Sequence, residues 1–167
     1  MDLSGLYRRH SQDVYRFAYW LSGNAADAED ITSETFVRAW TGASGVRAET
    51  ARAYLLTIAR NLFLQQRRRD RDRHDALREE ADPRPGPERQ TAAVHRMAQL
   101  RAALLQLSEA DRTALLLRAQ EGLRYDEIAR ALGMSVGAAK VKVHRARLRL
   151  ARLMNEPTSQ REERSLP

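Results

Sequence analysis

The sequence predicts an all-α protein built from two small helical domains joined by a flexible linker. Three observations carry that expectation. Apolar residues recur at spacings of three and four along most of the chain, and no stretch alternates as a strand would. Nine of the ten aromatic residues precede residue 64, with Tyr125 the exception, which points to two cores of different make-up. Between the halves runs DALREEADPRPGPERQTA, in which Pro83, Pro85 and Pro87 block helix and mixed charge leaves too little apolar surface to offset ordering entropy. The expected organisation is a domain over residues 1–74, a linker over 75–93, a second domain over 94–154 and a disordered tail over 155–167.

In the first domain, Leu3, Tyr7, His10, Val14, Phe17 and Leu21 step along one stripe of a first helix, with His10 expected as a packing residue. Gly23 is placed to stop that helix and Asn24 to cap the next. The second helix puts Ala28, Ile31, Thr35, Ala39 and Trp40 on one side and Asp30, Ser33, Glu34 and Val37 on the other. After a loop containing Gly42 and Gly45, Ala51, Leu55, Ile58 and Leu62 define a third helix that ends in the basic run RRRDRDRH.

The second domain opens on a helix marked by Met97, Leu100 and Leu104. Ser108 followed by Asp111 has capping-box spacing and starts a helix through LLLRAQ that Gly122 ends. Tyr125 to Leu132 forms a short helix, Gly133-Met134-Ser135 a tight turn, and Ser135 the cap of a last helix running to about Met154. Ala139, Val143, Ala146, Leu150 and Leu153 are its buried stripe.

Charge then separates the possible functions. The chain carries a formal charge of +7, so an anionic partner is expected. It has no cysteine, hence no disulfide and no thiolate site. The apolar stretch VYRFAYWL is interrupted by Arg16 and falls far short of a membrane span, and MDLSGLYRRH lacks a secretory h-region. No membrane insertion and a cytoplasmic location are expected. His10, His74, His95 and His144 have no metal-ligand spacing, and no phosphate loop or nucleophile-base pair stands out, so no enzyme activity, metal or cofactor is expected.

Two segments hold the chemistry. YDEIARALGMSVGAAKVKVHRAR combines a short helix, a glycine-bearing turn and a longer helix, the helix-turn-helix pattern whose second helix enters the DNA major groove. No acid occurs from Val136 to Met154, and lysines and arginines fill every face the buried stripe leaves. DAEDITSETFVRAW, residues 27–40, is the opposite: acids first, and no cation until Arg38. Asp27 and Glu29 suit the positive end of a helix dipole. Asp30, Ser33, Glu34 and Val37 make an outward patch that repels phosphate and suits a basic protein surface, where complementary charge steers encounter.

The order of these motifs resembles the extracytoplasmic-function group of bacterial sigma factors, the smallest members of the sigma-70 family. The resemblance covers residues 3–69 and 96–154. DAEDITSETFVRAW resembles that family's core-binding helix, YLLTIARNLFLQQRRR its promoter-melting helix, and LSEADRTALLLRAQEGLRYDEIARALGMSVGAAKVKVHRAR its fourth region. The resemblance implies that Asp30, Ser33, Glu34 and Val37 dock on a coiled coil of the largest subunit of core RNA polymerase, with the second domain at the polymerase flap. It implies that Arg52, Arg60, Asn61, Arg67 and Arg68 take the non-template strand of the −10 element, Asn61 reading a base edge and the arginines neutralising phosphate.

For the −35 duplex it implies base contacts from Lys140, Val141 and His144, and phosphate contacts from Lys142, Arg145 and Arg147. Arg118 would reach in from the preceding helix, and Ser135 stands at the helix start. Promoter DNA and an anti-sigma factor are the further partners implied. The chain departs from the family pattern at Ser33 (commonly Gln), Tyr54 (often Trp), Arg124 (usually a Ser cap) and Ala138 (usually Thr). Tyr54, Trp20, Phe36 and Trp40 are expected as core packing. The competing reading is a stand-alone helix-turn-helix regulator whose N-terminal bundle dimerises or senses a ligand; the acidic patch from Asp30 to Val37 favours the sigma factor.

Overall fold

A computed structural model describes residues 2–42, 50–74 and 91–156. Those residues form seven α-helices and no strand: α1 (Leu3–Ser22), α2 (Ala25–Gly42), α3 (Ala51–His74), α4 (Ala92–Leu105), α5 (Glu109–Ala119), α6 (Tyr125–Leu132) and α7 (Val136–Asn155). Most of the expected linker and tail, residues 75–90 and 157–167, lie outside the described residues, as does Gly45.

Local chemistry starts and stops the helices as their sequences require. The Asp2 carboxylate accepts from the Ser4 and Gly5 N–H groups and opens α1; the Gly23 N–H donates to the Tyr19 carbonyl and closes it. Asn24 Oδ1 accepts from the Asp27 N–H at 3.1 Å. Thr91 caps α4 through the Val94 N–H, so that helix begins two residues inside the stretch expected as linker. Ser108 Oγ accepts from the Asp111 N–H, but the Asp111 carboxylate does not close the box: it turns to Lys142 on α7, 3.2 Å away. Arg124, which has no acceptor to offer as a cap, is compensated from the other side. Glu127 accepts its backbone N–H at 2.8 Å, the half of a capping box that an N3 glutamate supplies.

Helices α1, α2 and α3 pack around Val14, Phe17, Leu21, Ile31, Leu55 and Leu56, all essentially inaccessible. Helices α4 to α7 pack around Leu117, Ile128 and Val143. The expectation of two separate cores is corrected here: the buried residues of both bundles form one continuous cluster. Helix α1 lies against α4 and α5, and α3 against α6. At the join, a Cβ on Gly23 would stand 3.0 Å from Leu105 Cδ1, so the α4 leucine would have to give way by a few tenths of an ångström.

Two aromatic expectations fail at the surface. Trp40 was expected on the buried side of α2 and Tyr7 on the buried stripe of α1, yet they are 61% and 50% exposed. Each lies near a helix end, Tyr7 in the second turn of α1 and Trp40 in the last turn of α2. The Tyr7 ring instead meets the edge of Phe36, centroids 4.9 Å apart. Phe36 is buried as expected, and Trp20 and Tyr54 are partly buried against the core.

Candidate nucleic-acid and polymerase interface

The acidic patch forms where the spacing put it. Asp30, Ser33, Glu34 and Val37 are exposed on α2 and together line a groove of about 460 Å³ between α2 and α3, whose other wall includes Gln65, Gln66 and Arg69. Glu34 is already paired within its helix: Arg38 Nε lies 3.0 Å from it, and the same guanidinium reaches Gln65 on α3 at 3.1 Å. Asp30 therefore presents the less compensated charge. Asp27, one turn earlier, is half-buried, and burial together with the Asp70 and Asp30 carboxylates holds its pKa above the ordinary aspartate value. Beside this groove lies an apolar one of about 420 Å³, lined by Tyr7, Arg8, Phe36, Val37 and Trp40, with Val37 common to both.

The cations expected at the −10 strand fall into two sets. Asn61, Arg67 and Arg68 are exposed on α3, with Arg67 over the Phe63 ring at 5.7 Å. Arg52 and Arg60, by contrast, face the second bundle. Arg52 Nε donates to Asp13 at 3.0 Å, while its two terminal nitrogens donate to the Glu121 carbonyl and carboxylate. Arg60 pairs with both oxygens of Glu109, at 3.1 and 3.4 Å. The structure thus separates two residues that the sequence places with the others on a single strand-binding surface.

In the second bundle the helix-turn-helix is complete. Gly133 takes φ +63° at the end of α6, and Ser135 Oγ accepts from the Ala138 N–H at 3.1 Å to open α7. Ala139, Val143 and Ala146 are fully buried, which turns Lys140, Val141, His144, Arg145 and Arg147 outward to solvent. Lys142 is half-buried and ion-paired with Asp111, so it braces α7 on α5. Arg118 donates to the Leu123 carbonyl at 2.9 Å and lies over the Tyr125 ring at 4.6 Å, while Lys140 Nζ lies 5.8 Å from that same ring.

Sequence reasoning missed Glu121, Glu109, Asp13 and Tyr125. Glu121 left a trace: a carboxylate just past the C-terminus of α5 opposes the helix dipole, so an acid there calls for a partner elsewhere. Gly122, at φ +66°, makes the turn that holds it in place. Tyr125 left one too, as the lone aromatic after residue 64.

The described helices, with outward carboxylates on α2 and a basic helix-turn-helix in the second bundle, have the features of a DNA-binding protein that also offers a surface to a protein partner. Comparison with known proteins narrows the class. Residues 6–73 match the model of sigma-70 region 2, and residues 97–150 that of sigma-70 region 4. The chain is 41% identical over 150 residues to the ECF RNA polymerase sigma factor SigE of Mycolicibacterium smegmatis, with 87% of this chain and 58% of that protein aligned. It is 35% identical over 149 residues to the ECF RNA polymerase sigma factor SigL of Mycobacterium tuberculosis, covering 86% of this chain and 84% of the relative.

Among solved structures, the sigma factor RpoE in complex with the anti-sigma factor NepR from Bartonella quintana matches with TM-score 0.74 and 29% identity, over 92% of this chain and 96% of that one. CnrH in complex with the cytosolic domain of CnrY matches with TM-score 0.69 and 25% identity, over 92% and 87%. The chain belongs to the extracytoplasmic-function family of sigma-70 RNA polymerase sigma factors. Its family decides against the stand-alone regulator.

Proposed function

We propose that this chain acts in transcription initiation by binding alone, with no chemical step of its own: it joins core RNA polymerase and holds the two promoter elements for it. The observation that carries the proposal is that α2 turns two carboxylates outward, whereas the charged residues on the outer face of α7 are all cations. Asp30, Ser33, Glu34 and Val37 line one groove of the first bundle, while Lys140, Arg145 and Arg147 stand on the outer face of α7. The outward face of α2, with Asp30 and Glu34 beside Val37, suits a basic helical ridge of the polymerase better than phosphate. Helix α7 suits duplex DNA: Lys140, Val141 and His144 reach base edges of the −35 element, and Arg145 and Arg147 hold phosphates.

The −10 strand is taken by α3. Asn61 offers an amide to a base edge, and Arg67 and Arg68 offer cations to the backbone, with Arg52 and Arg60 joining when their carboxylate partners release them. The site is a cytoplasmic one, where polymerase and promoter meet. An anti-sigma factor is the expected inhibitor, supported by the complex of the structural relative RpoE with the anti-sigma factor NepR.

The deciding experiment pairs Asp30→Lys with Glu34→Lys. The double variant is expected to lose co-elution with core polymerase and to give at least tenfold less run-off transcript (about 1.4 kcal/mol), with helicity unchanged. Unaltered transcript yield from the double variant would remove the polymerase from this surface.

A further inference from the structure

We propose that Tyr125 is a positioning residue of the −35 site: its ring holds Lys140 ready for the base edge that Lys140 reads. The proposal rests on the reading of α7 as the −35 helix and deepens it, giving a side chain of α6 a part in sequence preference.

Tyr125 is the only aromatic residue after residue 64, and it opens α6, partly buried against the core of the second bundle. One ring there meets cations from two other helices. Arg118 of α5 lies 4.6 Å from the ring centroid, and Lys140 Nζ of α7 lies 5.8 Å from it. Both distances fall in the range over which a ring face attracts a cation. The two cations are held unequally. Arg118 is the nearer and is anchored again by its bond to the Leu123 carbonyl at 2.9 Å. Lys140 has the ring alone: among the described residues its ammonium makes no hydrogen bond or ion pair.

That difference bears on readout. A lysine ammonium ends a flexible four-carbon stem, and a base contact has to still that stem. A ring face restrains the ammonium but offers it no lone pair, so it competes with a guanine acceptor far less than a carboxylate would. Lys142 shows the contrast, because its ammonium is paired with Asp111 at 3.2 Å and is committed to bracing α7. Holding a side chain near its bound position beforehand lowers the ordering cost of the contact. Among the described residues no other cation of α7 lies over a ring. Packing alone would accept a leucine at position 125; what leucine lacks is the negative ring face.

The test reads the contact and the preference separately. In the free full-length chain, nuclear magnetic resonance follows the Lys140 ε-methylene protons, which a ring face shifts upfield. The shift is expected in the wild type and in Tyr125→Phe, and is expected to vanish in Tyr125→Leu. In holoenzyme assembled with core polymerase, binding to promoters randomised over the −35 element gives the base preference at each position. Preference is a ratio between sequences, so a uniform loss through Arg118 and the phosphates cancels. Tyr125→Leu is expected to lower preference about two- to fivefold, the factor that an exposed cation–ring contact supplies. The loss should fall at the position that Lys140→Ala also relaxes, and Tyr125→Phe should retain the preference. In the Lys140→Ala background, Tyr125→Leu should lower it no further.

An unshifted Lys140 signal in the wild type overturns the ring contact and the proposal with it. A shifted signal overturns positioning if Lys140→Ala relaxes the preference and Tyr125→Leu does not. Equal losses in Tyr125→Leu and Tyr125→Phe, or a further loss in the Lys140→Ala background, overturn it as well. Preference unchanged by Lys140→Ala overturns the −35 reading of α7, and positioning with it, while leaving the ring contact standing. If Tyr125→Leu loses helicity, a trifluorinated phenylalanine in place of Tyr125 keeps the shape and drains the ring face of negative charge. Preference is then expected to fall below that of Tyr125→Phe, and equal preference overturns the proposal.

Discussion

Arg60 of the first bundle and Glu109 of the second meet through both carboxylate oxygens, with the pair 15% and 19% exposed. Partial burial makes this pair different in kind from Glu34–Arg38, which lies on one helix with both side chains well exposed. A double-mutant cycle on Arg60→Ala and Glu109→Ala is expected to return a coupling of about 1–3 kcal/mol in chemical denaturation. The same cycle on Glu34 and Arg38 should return about 0.3–0.5 kcal/mol. Equal couplings would mean that the contact between bundles is no tighter than a surface pair.

The outward face of α7 divides its labour. Lys140→Ala is expected to relax sequence preference at one or two positions of the −35 element, at about 1–3 kcal/mol of discrimination. Arg145→Ala should weaken all duplexes alike and lower the salt slope of binding by about one. Competition titrations against mutated −35 sites, repeated across a salt series, separate the two.

His10 sets a stability window. Burial lowers its pKa below the ordinary histidine value, assisted by Arg9 and Arg52 and opposed by Asp13. The neutral ring is favoured in the folded chain, so its contribution is fully present above about pH 6.5. That contribution is lost as pH falls below this value, toward the lower pKa of the folded state. Thermal denaturation at pH 7.5 and pH 5.5 should show a drop in Tm that His10→Gln reduces. An unchanged pH slope in the variant would assign the drop to other groups.

Phe17 is wholly buried at the centre of the first bundle. Phe17→Ala is expected to cost about 3–5 kcal/mol in denaturant unfolding. Gly122 has open space around its Cα but takes φ +66°, so Gly122→Ala should cost about 1 kcal/mol through backbone strain alone.

Periodicity made the helices legible because each buried stripe is a local property. Val14, Phe17 and Leu21, or Ala139, Val143 and Ala146, can be read without knowing what they pack against. The acidic patch of α2 was legible for the same reason, since Asp30, Ser33, Glu34 and Val37 share one helix face. Contacts between bundles were not. Arg52 with Glu121 and Arg60 with Glu109 join positions 69 and 49 residues apart. A basic residue on a DNA-facing pattern looks the same in sequence whether its guanidinium faces solvent or a carboxylate. Trp40 failed differently: its hydrophobicity predicts burial, but among the described residues it is 61% exposed beside Val37 and Tyr7.

The shared core has a calorimetric consequence. When buried side chains run without interruption from Phe17 through Leu104 to Val143, the two bundles should melt as one cooperative unit in a single endotherm. Loosening the contact between the bundles should divide that peak in two, the bundle bearing both tryptophans dissolving with a change in tryptophan fluorescence and the other without one.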